Sequence, residues 1–230
     1  MRSRRLPRAF YVRPALTVAK DLLGKLLGRV IEKPINRNSH GRENSCLLPD
    51  GRYGLVGKIV ETEAYIGPRD RASHAFGGKI TQRNRAEWLI GGHVYIYLVY
   101  GMYWQFNIST GQEGVPECVL IRALEPVLGN PKSQFPNPKQ IPNSKFQISK
   151  QLFRMANGPG KLCRWMKFDK SFYGEDLVKS PRLWVENQGV RVPRPQIMAG
   201  PRIGIDYAGP YWARRPWRFW IKNNPAVSRG

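Results

Sequence analysis

Acid is scarce in this chain of 230 residues: 16 Asp and Glu stand against 38 Lys and Arg, for a formal net charge of +22. Such a bias creates a field that draws in polyanions, and it makes nucleic acid the expected partner. Cysteine and histidine are scarcer still, with three of each. Cys46, Cys118 and Cys163 are odd in number, scattered and without C-x-x-C spacing, which argues against a disulfide framework, a zinc site or an iron–sulfur site. His40, His74 and His93 do not complete a ligand set with them, so no metal is expected. A long apolar run and a basic amphipathic helix are both missing, so no membrane partner is expected. The basic N-terminus is broken by Arg13 and Pro14 before it could form the core of a signal peptide. The expected location is the cytoplasm, associated with the nucleoid, or the nucleus if the source is eukaryotic.

The length permits a sizeable core and a single domain over 1–230. Ala15, Leu16, Val18, Ala19, Leu22 and Leu23 recur at helical spacing and stop at Gly24, predicting a short amphipathic helix closed by glycine. Leu26 to Ile31 reads as a strand. Residues 33–52 turn to Pro, Asn, Ser, Gly and charge, the composition of a loop insertion. Leu55 to Thr62 resumes as a strand and delivers Glu61 and Glu63 to one face, although alternation leaves open which of them meets a pocket. Between Ile66 and Ile90, Gly67-Pro68 and Gly77-Gly78 predict a long loop carrying Asp70, His74 and Thr81-Gln-Arg-Asn-Arg85. Val94 to Tyr100 and Tyr103 to Ser109 are rich in aromatic and β-branched residues around Gly101, predicting a hairpin, and Cys118 to Ala123 a third strand. Residues 130–152 repeat Asn-Pro-Lys without a periodic apolar face, as a mobile low-complexity insertion would. A helix start is expected at Asn157 to Cys163, and strands around Arg202 to Ile205 and Trp217 to Lys222. The fold class expected is α+β: one mixed domain with a curved antiparallel-rich sheet, a protruding aromatic hairpin and surrounding helices.

A lone strand carboxylate is more often a surface partner for Lys or Arg. Set among rings in a strongly basic chain, Glu63 or Glu61 could instead orient and deprotonate water for attack on a glycosidic bond, and stabilise positive charge building on the sugar. Aromatic stripes are more often core than ligand site, yet Tyr95, Tyr97, Tyr100 and Tyr103 alternate so densely with apolar residues that both hairpin faces cannot be ordinary core. Tyr100-Gly101 falls at the turn, where an aromatic can wedge between base pairs and fill the space of a base rotated out of the duplex. Gly158-Pro-Gly-Lys161 at a helix start offers amides and a cation to a phosphate, a weak signal by itself. Arg83, Arg85, Arg214, Arg215 and Arg218 fit either phosphate contacts or a solvated rim.

Taken together, Val60-Glu-Thr-Glu-Ala-Tyr-Ile-Gly67, Ser73-His74, Thr81-x-Arg-Asn-Arg85, Tyr95-x-Tyr-x-x-Tyr-Gly-Met-Tyr103, Asn107-Ile-Ser109, Val119-Leu-Ile-Arg-Ala-Leu-Glu-Pro126, Gly158-Pro-x-Lys-Leu-Cys163 and Arg202-Ile-Gly-Ile205 resemble the alkyladenine (3-methyladenine) DNA glycosylase family, in order and across nearly the whole chain. The resemblance implies that Glu63 is the water-activating base and that Arg122 helps to hold the water. It also implies that Tyr65, His74 and Tyr97 line the pocket for an extruded base and that Tyr100 is the wedge, with Asn107 rejecting guanine through its exocyclic amine. Met102 joins Tyr100 as an intercalating residue, and Arg83, Arg85, Lys161 and Arg202 are the expected contacts to the DNA backbone. Damaged double-stranded DNA is the implied partner, engaged by a monomer without metal, cofactor or strand-cleaving lyase activity. Trp104-Gln105 is bulkier than the family pattern, which bears on pocket shape. The alternatives the residues leave open are a non-catalytic basic RNA- or ribosome-binding protein and an RNA-modifying enzyme.

Overall fold

A computed structural model of the protein describes residues 5–32, 45–48, 50–127 and 150–228. Nine strands run β1 Leu26–Ile31, β2 Cys46–Leu47, β3 Tyr53–Tyr65, β4 Val94–Val99, β5 Tyr103–Thr110, β6 Glu117–Val127, β7 Leu183–Glu186, β8 Ile197–Gly200 and β9 Arg218–Ile221. Among the described residues five α-helices accompany them, α1 Arg8–Tyr11, α2 Ala15–Leu22, α3 Lys150–Arg154, α4 Pro159–Trp165 and α5 Pro210–Ala213, besides several short 3-10 turns. All strand pairings are antiparallel, in the order β4-β5-β6-β3-β1-β7, with β2 and β9 also against β3 and β8 on β9. The architecture is α+β, with one sheet as its organising element.

β3 is the axis of the sheet. At 13 residues it pairs with β6 along one edge, and with β1 and then β9 along the other. Neighbours on both edges explain why its burial is nearly continuous rather than alternating. Its register against β6 shifts between Ile59 and Thr62: Val60 goes unpaired, and then Arg122 does on the opposite strand. Such bulges redirect side chains and are common beside functional sites.

The helix expected from Ala15 forms as α2, with Ala15, Val18, Ala19 and Leu22 on its buried face. It stops before Gly24, whose φ of +83° lies in the left-handed region that glycine enters at little cost. The residues of one sheet face, Ala64, Ile96, Phe106, Ile108, Val119 and Ile121, join α2 and α4 in the main core, where Phe106 stacks on Phe168 at 4.5 Å. That face holds the structure together and leaves the other free for polar groups.

Two local expectations are corrected. The stretch assigned wholly to a loop at 33–52 contains β2, which pairs with Tyr53 and Gly54 of β3; residues 33–44 and 49 lie outside the described residues, as do 130–149 of the expected low-complexity insertion, whose last three residues, 150–152, begin α3. Arg202 to Ile205 is not a strand: the strand ends at Gly200, and the chain turns through Pro201 and Gly204 (φ +75°) as Arg202 points inward to an acid. β7 and β8, each only four residues, were not anticipated because neither is long enough to show a period.

Candidate active site

One row of cross-strand neighbours links the predicted residues. Glu63 of β3 faces Leu120 of β6, Leu120 faces Asn107 of β5, and Asn107 faces Tyr95 of β4. One step along, Tyr65 faces Cys118 and Tyr97 faces Gln105. Because directly opposed residues share a face, Glu63, Tyr65, Tyr95, Tyr97, Gln105 and Asn107 all lie on the side away from the main core. Trp104 pairs with Leu98 and packs on that core, so of the two bulky residues after the turn it is Gln105 that bears on pocket shape.

Glu61 and Glu63 are both without solvent exposure, and their partners separate their roles. Glu61 is filled: Oε1 accepts from Arg122 Nε at 3.0 Å, Ser228 Oγ at 2.8 Å and Arg218 Nη1 at 3.2 Å, while Oε2 accepts the Ser228 amide at 2.7 Å. Glu63 takes fewer donors. Its Oε1 accepts the Ile203 amide at 2.8 Å with Arg122 Nη1 3.1 Å away, and its Oε2 accepts the Tyr65 hydroxyl at 2.9 Å. A carboxylate offers about four acceptor sites, so Glu63 retains capacity for a further donor such as water. Burial, and then the charge of Glu63, push the Tyr65 phenol well up, which keeps it a donor.

Rings gather beside this acid. Tyr65, Tyr95 and Tyr97 pack in one cluster, with Tyr95 and Tyr97 centroids 5.1 Å apart. His74 meets Tyr97 edge-on at 4.6 Å, and its Nδ1 lies 2.7 Å from the Tyr95 hydroxyl. Partial burial, with Arg83 adding to it, brings the imidazole down to about 4, so His74 is neutral near pH 7 although the residue as a whole counts as exposed. Asn107 is buried, its Nδ2 donating to Tyr95 O at 3.1 Å and Gln105 O at 3.2 Å, which fixes the orientation of the amide.

The hairpin tip stands clear of the body. Tyr100 is 87% exposed and Met102 66%, and the Met102 amide closes the turn on Val99 O at 3.1 Å. Tyr100 (φ +52°) and Gly101 (φ +67°) both occupy the left-handed region, the backbone of the tight turn that matches strand twist. Glycine suits that region; a tyrosine is strained there, and such strain concentrates at functional positions. Behind the tip, a Cβ on Gly160 would come within 2.9 Å of Tyr103, so the glycine-rich start of α4 serves close packing against the hairpin.

The expected backbone contacts divide. Arg83 and Arg85 are exposed, Arg83 lying 5.1 Å over the Tyr97 ring, and Lys161 is exposed with Asn157 Oδ1 at 3.1 Å. Arg202 does not fit the same role. Its guanidinium is enclosed, bonded to both oxygens of Asp70 at 2.5 and 2.9 Å and to Ala64 O at 3.0 Å, between the rings of Tyr65 and Trp217. A guanidinium without solvent exposure and paired with Asp70 is out of reach of a DNA phosphate, so Arg202 is corrected to a buried support for Tyr65. Arg218 is likewise taken up by Glu61.

Several supports were not foreseen. Asn84 accepts the Thr81 amide at 2.7 Å and donates to His74 O and Lys79 O, both at 2.9 Å, which pins the loop that carries His74. Ile203 acts on Glu63 through its backbone amide alone, which no side-chain pattern can signal, and Ser228 acts on Glu61 through its amide as well as its hydroxyl.

A buried acid with spare capacity and a tyrosine-rich cage on one sheet face, with an exposed aromatic at the tip of the hairpin that carries the cage, in a strongly basic protein, form the arrangement of a DNA glycosylase. Residues 46–225 match the model of the family described as methylpurine-DNA glycosylase (MPG). The chain is 38% identical over 231 residues to the DNA-3-methyladenine glycosylase of Mus musculus, covering 98% of this chain and 62% of that protein. To the human protein of the same name it is 36% identical over 224 residues, covering 97% and 68%. A relative from Methanocella arvoryzae, provisionally named a 3-methyladenine DNA glycosylase, is 45% identical over 224 residues, covering 97% and 96%. The chain thus spans about two thirds of its mammalian relatives and nearly all of the archaeal one. It belongs to the methylpurine-DNA glycosylase family.

Proposed function

We propose that this protein excises alkylated or deaminated purines from duplex DNA in base-excision repair, taking 3-methyladenine and 7-methylguanine, and also hypoxanthine and ethenoadenine, and leaving an abasic site. Tyr100, with Met102 beside it, enters the stack as the base swings out; the base is received by Tyr65, His74 and Tyr97, and Asn107 disfavours guanine. Glu63 orients and deprotonates a water for attack on the anomeric carbon, with Arg122 helping to hold that water. The negative charge of Glu63 also favours the oxocarbenium-like transition state. Arg83, Arg85 and Lys161 contact the backbone. DNA is engaged by one protein molecule without a cofactor.

The observation that carries this reading is the unequal filling of two buried carboxylates: Glu61 meets four donors, Glu63 three, and only Glu63 is bonded to a ring of the cage. A methylated purine carries positive charge, is attracted to the faces of Tyr65 and Tyr97, and departs as a neutral base. The test is incubation with duplex DNA bearing a single 3-methyladenine or hypoxanthine, followed by alkaline cleavage. Strand breaks at the lesion are expected; intact strands with both substrates would refute the reading.

A further inference from the structure

A further buried acid, apart from Glu61, Glu63 and Asp70, lies beside the cage. Glu87, in the helical turn Arg85–Trp88, is 1% exposed, packed where Ala86, Tyr95 and Cys118 form a cluster with Tyr65, Tyr97 and Tyr173. Its Oε1 meets the Cys118 thiol at 3.7 Å, and its Oε2 has no hydrogen-bond partner. No cation forms an ion pair with it among the described residues. Burying a carboxylate without a counter-charge costs several kcal/mol, which a carboxyl avoids by keeping its proton.

We propose that Glu87 is a positioning residue of the base pocket, holding the Tyr95–Tyr97 wall in its receiving geometry while it is a neutral carboxylic acid and releasing it on ionisation. Loss of the proton to hydroxide leaves a carboxylate beneath the rings, and the anion must draw in water or move outward to be solvated. Outward movement is not local. The Ala86 amide donates to Tyr173 OH at 2.9 Å, and the Tyr95 hydroxyl holds His74, so displacement of residues 85–88 reaches both sides of the cage.

The groups facing Glu87 are Cys118 from β6, Tyr95 and Tyr97 from β4, Tyr65 from β3, Tyr173, and the charges of Arg83, Arg85 and Asp70. Burial drives the thiol of Cys118 and the phenols of all four tyrosines upward, away from neutrality. Burial pushes Glu87 up to about 8, with the Cys118 hydrogen bond and Arg83 pulling the other way. Glu87 is therefore the group of this cluster whose charge changes just above neutral pH.

This inference rests on the base-capture reading, and ethenoadenine is a suitable probe because it is fluorescent and does not itself ionise in the range examined. Capture and release of ethenoadenine from duplex DNA would be followed from pH 6 to 10 for the wild type, Glu87→Gln and Cys118→Ala, each profile normalised to its own maximum. The wild type should lose capture above about pH 8, falling about tenfold per pH unit as for a single ionisation. Glu87→Gln, which cannot ionise, should lack that limb, and Cys118→Ala, without the thiol hydrogen bond, should move it to higher pH. An alkaline limb that is the same in all three proteins overturns the role of Glu87 and leaves base capture standing. Absence of capture at every pH, with native melting curves, overturns both.

Discussion

Glu61 and Glu63 stand two residues apart on β3 and share one guanidinium, with Arg122 Nε 3.0 Å from Glu61 and Nη1 3.1 Å from Glu63. Glu61 holds the arginine in place, and the arginine in turn faces the acid with spare capacity.

If Glu63 activates water, Glu63→Gln keeps the shape and most hydrogen bonds while losing the base. Removal of a general base costs on the order of 10²- to 10⁴-fold in rate. Release of 3-methyladenine should fall at least 100-fold by this estimate, with affinity for the lesion-bearing duplex roughly retained. Undiminished release in single-turnover assays would remove Glu63 from the mechanism.

Glu61→Ala should act mainly on stability. It strands Arg218 without an anion and leaves Arg122 with Glu63 alone, and breaking buried pairs typically costs about 3–5 kcal/mol. In a chain of this size, where each kcal/mol moves Tm by about 2–4 °C, the expected loss is on the order of 10 °C by differential scanning calorimetry. A Tm within about two degrees of wild type would show that Glu61 is not a structural anchor.

Tyr100→Ser should weaken base extrusion, because the stack can reclose over a short side chain. A fluorescent reporter base opposite the lesion should show a smaller flipping amplitude. Tyr100→Gly should show the same functional loss with no fall in Tm, since glycine relieves the strain at φ +52°. An unchanged amplitude in both variants counts against the wedge.

Salt titrations separate phosphate contacts from buried supports. Arg83→Ala and Lys161→Ala should each lower the slope of log affinity against log salt by about 0.9. Arg202→Ala should leave that slope intact while lowering Tm, because its charge is spent on Asp70. A slope lowered equally by Arg202→Ala would restore it as a backbone contact.

His74 should remain neutral across the working range. Its folded value near 4 lies below the ordinary 6.5, so between those pH values the unfolded chain binds a proton that the folded chain refuses. The native state is therefore favoured above 6.5 and loses that advantage as pH falls toward 4. Nitrogen-15 chemical shifts of the ring should report a neutral imidazole at pH 6, and titration near 6.5 would show that partial desolvation and Arg83 do not hold the ring neutral.

Much was legible in the chain itself. α2 and the β4–β5 hairpin announce themselves because helical and strand periods are local, and the alternation along β4 already sets Tyr95 and Tyr97 on the opposite face from Val94 and Ile96. The carboxylate pair was equally visible. What could not be read was which acid is free, since that depends on the Ser228 amide, Arg218 and the Ile203 amide, 167, 157 and 140 residues distant from the acids they hold. Arg202 shows the same limit: in sequence it is one more cation, and only Asp70, 132 residues away, turns it inward.

Sequence alone determined the charge, the strand and hairpin patterns and the residue types available for chemistry, because each is a property of near neighbours. Tertiary structure decided which carboxylate is saturated, which arginine is buried and what lies behind the rings. Those outcomes depend on desolvation and on donors brought together from distant segments, and a linear pattern carries no record of either.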